Sequence, residues 1–63
     1  MYIVTMYDKE EMAKGYLTDD GEFGVRSEAA EFDTEEDAQE AIDEFLDEYS
    51  EYRDLYSYKI KSI

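Results

Sequence analysis

A row of carboxylates at helical spacing is the feature of this chain that could do chemistry. Drawn as a helix, six acidic residues lie opposite an apolar stripe: Glu36, Glu40, Asp43, Glu44, Asp47 and Glu51. They recur about every 5.4 Å, which is one helical turn. Successive phosphates on a nucleic-acid strand, which rises about 3.4 Å per nucleotide around a cylinder, have a similar spacing. The row can therefore present charge to lysine and arginine side chains much as a phosphate strand does.

An ordinary solvated helix face is the alternative interpretation. Such faces mix Glu with Lys or Arg four residues away, because opposite charges stabilise a helix and like charges destabilise it, each by about 0.2–0.5 kcal/mol. Here no lysine or arginine occurs between Arg26 and Arg53. The absence of bases favours a role in binding.

The charge of the whole chain is concentrated in one segment. The net charge is −13 on 63 residues, and sixteen of the nineteen acidic residues lie from Asp19 to Asp54. That segment alone carries −14, and the rest sums to +1. So much like charge produces self-repulsion that solubility does not require. We therefore expect a basic partner, and the commonest large basic surfaces are those that bind nucleic acid.

A second acidic cluster lies in a turn formed by Asp19, Asp20 and Glu22 around Gly21. Turn chemistry alone also favours Asp and Gly, so that alternative stays open. A calcium loop does not fit, because Gly21 at loop position 6 puts Tyr16 and Ser27 where Asp and Glu are required. Weak binding of divalent cations stays open, but no ligand spacing marks a metal site.

The composition argues against an enzyme, a cofactor protein or a membrane protein. The chain has no cysteine and no histidine, which removes thiolate and zinc–thiolate chemistry and the usual general base. No phosphate-binding loop or nucleophile motif is present. The longest apolar run is Met1-Tyr2-Ile3-Val4, and no signal peptide is recognisable, so a cytoplasmic protein is expected. The net charge opposes direct binding to nucleic acid or to anionic membranes.

The patterning predicts a single α+β domain over residues 1–63, with three to four antiparallel strands and one amphipathic helix packed across one face. The predicted order is ββαβ, with one further strand before the helix if the hairpin is counted as two. Met1–Tyr7 predicts a strand that is apolar on both faces, and Leu55–Ile63 a strand with Lys59 and Lys61 on one face, where they protect a sheet edge. Asp8–Ala13 predicts a polar connection.

The hairpin and the helix are predicted from local signals. Lys14–Thr18 and Glu22–Val25 flank Asp20-Gly21, which favours a type I′ turn, and Gly15 and Gly24 indicate bulges or close approach of the backbone. Ser27 is a candidate cap for a single helical turn, after which Phe32 would anchor the chain. Thr34 is a good N-cap for a helix from about Glu35 to Tyr49, with continuation to Tyr52 or Arg53 left open.

The seven tyrosines divide into two groups. Tyr2, Tyr49, Tyr56 and Tyr58 fall on apolar stripes and are predicted in or beside the core. Tyr7, Tyr16 and Tyr52 are candidates for exposure, and an exposed tyrosine beside acid is typical of a binding hot spot. Tyr52 therefore joins the helix and hairpin carboxylates as a predicted partner-binding residue. The acidic residue Asp54 is predicted to bind the partner in the same way as the helix carboxylates.

Part of the chain resembles small phage and prophage proteins in which a displayed hairpin leads into an acidic helix. The resemblance lies in Gly15–Phe23 and in the following Ala29–Ala38, which contains the pattern F-x-T-x-E-x-A. With its size and charge, the chain is similar to phage-encoded nucleic-acid mimics, among them acidic anti-CRISPR proteins. That resemblance implies a physical strategy, not individual functional residues.

These observations together predict a non-enzymatic DNA-mimic inhibitor without a cofactor. Its partner would be a basic nucleic-acid-binding protein or complex, such as a CRISPR effector or a restriction or repair enzyme. The alternative is an acidic adaptor whose charge serves solubility and steering only. A domain of another purpose, without such a partner, also stays open.

Overall fold

The computed structural model describes all residues from Met1 to Ile63 and contains one four-stranded antiparallel sheet in the order β3-β2-β1-β4. The strands are β1 (Tyr2–Asp8), β2 (Ala13–Leu17), β3 (Phe23–Gly24) and β4 (Tyr56–Ser62), and one helix, α1 (Glu35–Glu48), precedes β4. The predicted α+β class is confirmed. Three strands precede the helix, so the chain runs βββαβ and the helix falls late.

Strand β1 forms the centre of the sheet because it pairs with both long neighbours. Thr5 is opposite Tyr16 of β2 on one side and Lys59 of β4 on the other. Its side chains alternate between the two faces, as strand geometry requires. Val4 faces the helix and Ile3 the opposite side, and both are buried, which confirms the prediction of apolar residues on both faces.

The hairpin between β2 and β3 differs from the predicted type I′ turn. Asp20 does not have the positive φ that this turn needs at both central positions, whereas Gly21 has a φ of 74°. Gly21 N donates to Thr18 O (3.0 Å), and Thr18 N donates to Glu22 O (2.9 Å). This pattern fits a three-residue loop with a type I turn and a glycine bulge, a common alternative for the same residues.

The helix begins where the sequence predicts. Thr34 Oγ1 accepts a hydrogen bond from Asp37 N (3.1 Å), which confirms the N-cap. The α-helix ends at Glu48, and the chain continues as a separate 3₁₀ turn, Ser50–Arg53, because Tyr49 leaves helical geometry at a φ of −122° and a ψ of 65°. The possible extension of the α-helix to Arg53 is therefore wrong.

The segment before the helix is held by backbone hydrogen bonds. A single 3₁₀ turn covers Arg26–Glu28, but Ser27 lies inside it and Val25 occupies the cap position, so the proposed Ser27 cap is wrong. Phe32 exchanges two backbone bonds of 2.8 Å with Tyr2 and packs against the core. Its predicted role as an anchor is confirmed.

The core lies between the helix and one face of the sheet. It consists of the buried side chains Val4, Met6, Leu17, Ala38, Ile42 and Phe45. The opposite face of the sheet carries no helix. No helix of the structure is long and apolar enough to cross a membrane.

Candidate functional site

The helix carboxylates divide into two flanks in the structure. All of them are exposed. At about 100° per residue, Asp37, Glu44 and Glu48 lie on the flank beside Ala41, whereas Asp43 and Asp47 lie on the other flank. The first flank faces the hairpin loop and the Phe32 segment, and it forms one wall of a groove.

Three adjoining clefts make up this groove. The middle cleft lies between the hairpin loop and the helix, and it shares Phe32, Ala41 and Glu44 with a cleft towards the helix N-terminus. It shares Gly21 and Phe45 with a third cleft towards the helix C-terminus. We call the three together the acidic groove. Its carboxylates are Asp19, Asp20, Glu22, Glu31, Asp33, Asp37, Glu40, Glu44 and Glu48.

No lysine or arginine lines the acidic groove. Its floor is apolar and includes Leu17, Ala30 and Phe32. Lysine and arginine bury their methylene stems on apolar surface while the charged end stays among polar groups. A carboxylate rim above an apolar floor suits both parts of such a side chain, and arginine can bind carboxylates through two parallel hydrogen bonds.

The hairpin loop places the second acidic cluster opposite the helix. Gly21 supplies the left-handed residue that the loop needs, and Thr18 Oγ1 accepts a hydrogen bond from Glu22 N (3.1 Å) that closes the loop. Asp19 and Asp20 consequently line the same cleft as Glu44 and Glu48. Two clusters that the sequence showed separately thus belong to one surface.

Three of the six bases lie on the other side of the sheet. Lys59 is opposite Thr5, Lys61 is opposite Ile3, and Lys14 is opposite Tyr7, so all three share the face that lacks the helix. Lys59 and Lys61 lie on the edge strand β4, as predicted. None of the side-chain hydrogen bonds joins a base to a carboxylate. The charge of the groove is therefore not compensated by the protein's own cations.

The structure groups the predicted binding residues in part. Six of them line the acidic groove: Asp19, Asp20, Glu22, Glu40, Glu44 and Tyr52. The other five line none of its clefts: Glu36, Asp43, Asp47, Glu51 and Asp54. Their participation in binding stays a prediction.

Four groove carboxylates were not predicted: Glu31, Asp33, Asp37 and Glu48. A signal for two of them was present in the sequence. Ala41 is the small residue at the edge of the apolar stripe, where another segment can approach the helix closely. Asp37 and Glu48 lie on the same flank as Ala41. Nothing in the sequence alone placed Glu31 or Asp33 beside the helix.

Four of the seven tyrosines form a network of ring contacts at the helix C-terminus, namely Tyr49, Tyr52, Tyr56 and Tyr58. Tyr2, Tyr49, Tyr56 and Tyr58 are half-buried against the core, as predicted. Tyr52 is also half-buried against it, so its predicted exposure is only partial. Tyr7 is 40% exposed on the opposite sheet face, in line with its prediction.

Tyrosine ionisation gives a test of this network. Burial, with a smaller effect of the neighbouring Tyr56, raises the pKa of Tyr58 to about 12, although Arg53 acts in the opposite direction. Burial and then Asp8, Tyr52 and Glu11 raise the pKa of Tyr56. In a titration followed by tyrosinate absorbance, we expect a late step, and Tyr58→Phe should remove the part of it that Tyr58 contributes. A single step for all seven tyrosines would contradict the packing described above.

The same pKa shift predicts how stability depends on alkaline pH. A folded-state pKa above the unfolded value of about 10 means that the folded state holds the proton more tightly. Tyr58 then stabilises the fold below pH 10, and this contribution is lost as pH rises towards about 12. Tyr58→Phe should flatten the fall in melting temperature over that range. An unchanged slope would assign the fall to other groups.

Salt should stabilise the protein if the groove charge is uncompensated. Raising the salt concentration shortens the screening length from about 30 Å at 0.01 M to about 3 Å at 1 M. Repulsion between the helix and hairpin carboxylates then weakens, so we expect the melting temperature to rise. A flat or falling response, measured by circular dichroism, would show that the charges are already balanced within the fold.

Comparison with known proteins adds no relative to this description. No family model matches the chain, and no curated protein or solved structure is significantly similar to it.

Proposed function

We propose that this chain is a non-enzymatic DNA mimic that occupies the basic nucleic-acid-binding surface of another protein. The observation that supports this most strongly is the acidic groove, in which nine carboxylates from the hairpin, the connecting segment and the helix line one surface without a base. The partner would be a host defence complex, as for anti-CRISPR proteins, or a restriction or repair enzyme in the cytoplasm. DNA would be excluded by competition.

The arrangement of charge favours mimicry over solubility. A protein that needs only solubility can spread its charge, and mixed signs on a helix avoid repulsion. Here the carboxylates face each other across a groove, and Lys14, Lys59 and Lys61 lie on the other side of the sheet. A basic surface approaching the groove therefore meets one sign of charge only. Fields of this kind accelerate association and orient the partner.

The rigidity of the scaffold supports the same proposal. The helix wall is capped at Thr34 and packed through Ala38, Ile42 and Phe45, and the hairpin wall is closed by hydrogen bonds at Thr18. A backbone that is already in position loses little conformational entropy on binding, so more of the electrostatic attraction appears as affinity.

Competition with DNA tests the proposed function. The basic partner is first isolated by affinity to the immobilised protein, and its affinities for the protein and for duplex DNA are then measured at two salt concentrations. We expect each ligand to exclude the other, and both affinities to fall steeply with salt. The adaptor alternative predicts a ternary complex with DNA, and observing one would contradict the proposal.

A further inference from the structure

The cleft at the C-terminal end of the acidic groove is lined mainly by aromatic rings. It has a volume of about 230 Å³, and its lining residues include Phe23, Phe45, Tyr49, Tyr52 and Tyr56. We call this cleft the aromatic socket. In the rest of the groove the apolar lining is mostly aliphatic, and its aromatic residues are Phe32 and the shared Phe45.

The rings of the socket hold one another in place. Phe23 stacks on Tyr56, with ring centroids 5.4 Å apart and an angle of 15°. Tyr52 lies 5.2 Å from Tyr56 and 5.6 Å from Tyr49. Phe45, which is buried, lies 5.9 Å from Tyr52 and so joins the network to the core. These distances are in the range for favourable aromatic pairs.

Phe23 is exposed although the fold makes room for its ring. A side chain at Gly15 would collide with the Phe23 ring, so the glycine allows this ring to lie close over β2. Phe23 is nevertheless 38% exposed. The ring is thus positioned by the fold while part of its surface stays available to a partner.

The surroundings of the socket are acidic. Glu22 lines it, and Asp19, Asp20 and Glu48 line the cleft that adjoins it. Among the tyrosines in and beside the socket, only Tyr58 donates a hydroxyl hydrogen bond within the protein, to the backbone oxygen of Tyr52. No buried side-chain oxygen lacks a partner, so the hydroxyls of Tyr49, Tyr52 and Tyr56 reach solvent. A ligand for this cleft would be cationic, with a surface that can stack on rings.

We propose that the aromatic socket binds an arginine side chain of the basic partner. A guanidinium is flat, stacks on aromatic faces and is more weakly hydrated than an ammonium group, so the socket should favour arginine over lysine. The carboxylates of the groove attract either cation, whereas the rings add the selectivity. The inference rests on the proposed function and specifies which side chain of the partner binds at one end of the groove.

Two peptides of equal length, one of arginine and one of lysine, test the socket. Their affinities for the protein are measured by titration calorimetry. We expect the arginine peptide to bind about two- to fivefold more tightly, which is the range for exposed cation–π contacts. In Phe23→Leu and in Tyr52→Leu, the preference should fall to about one while the affinity of the lysine peptide is kept. Phe23→Tyr, which keeps a ring, and Tyr7→Leu, on the opposite face, should retain the preference.

A measurement on the unmodified protein tests the proposal even where a variant fails to fold. Ring-proton resonances of Phe23 and Tyr52 should shift more with the arginine peptide than with the lysine peptide. Equal binding of the two peptides, or a preference that survives in both folded leucine variants, would overturn the socket and leave the proposed function standing. Binding of neither peptide at low salt would contradict both.

Discussion

Replacing Phe45 with alanine is expected to unfold most of the protein at room temperature. Phe45 is 5% exposed and contacts the rings of Tyr49, Tyr52 and Tyr58 at centroid distances of 5.2, 5.9 and 6.2 Å. Removal of a buried phenylalanine ring costs about 3–5 kcal/mol. A single core in a domain of this size rarely supplies more than about 3–5 kcal/mol, so little stability would remain.

Urea denaturation followed by circular dichroism measures this effect. Val25→Ala is the matched control, because Val25 is 60% exposed and its truncation should change stability by no more than about 0.5 kcal/mol. Phe45→Leu should fall between the two, since it keeps most of the apolar volume but loses the ring contacts. A Phe45→Ala variant as stable as the Val25 control would mean that the helix does not use this face for the core.

The elements with strong local signals could be predicted from the sequence. The apolar stripe of α1 and the cap at Thr34 depend on residues close together in the chain, and both are confirmed. The hairpin position was also predictable, because Asp and Gly favour a turn. Its type was not, since Asp20-Gly21 suits both a two-residue and a three-residue loop, and the register of the flanking strands decides between them.

The acidic groove could be predicted only as two separate clusters. The helix row and the hairpin acids were visible, but which flank of the helix faces the hairpin depends on tertiary packing. Phe32 exchanges backbone hydrogen bonds with Tyr2, and this contact holds residues 31–33 beside the helix. This contact joins residues thirty positions apart, and periodicity carries no information about it.

Reversing two charges on the groove flank of the helix should have the largest effect on binding. Glu44→Lys with Glu48→Lys turns two attractions for a basic partner into repulsions, and like charges brought together in a complex cost several kcal/mol. We expect affinity for the partner to fall roughly a hundredfold or more, which corresponds to about 3 kcal/mol. The fold should be retained or stabilised, because Asp19 and Asp20 then have cations nearby.

The neighbouring pair on the other flank provides a matched control. Asp43→Lys with Asp47→Lys makes the same charge change at the same spacing on the same helix. These residues line none of the clefts of the acidic groove, although Asp43 accepts a hydrogen bond from Gln39 (3.2 Å) that the change removes. A smaller loss of affinity is expected here, mostly from slower association. Equal losses for the two pairs would mean that overall charge, not the groove, drives binding.

Displacement of DNA from the basic partner tests the central claim most directly. Labelled duplex DNA is bound to the partner at low salt, and each folded protein is titrated against the complex. Wild type should displace the DNA fully, the Asp43 and Asp47 variant should displace it at moderately higher concentration, and the Glu44 and Glu48 variant should fail at concentrations where wild type is complete. Displacement by the Glu44 and Glu48 variant as efficient as by wild type would contradict the assignment of the acidic groove as the DNA-mimicking surface.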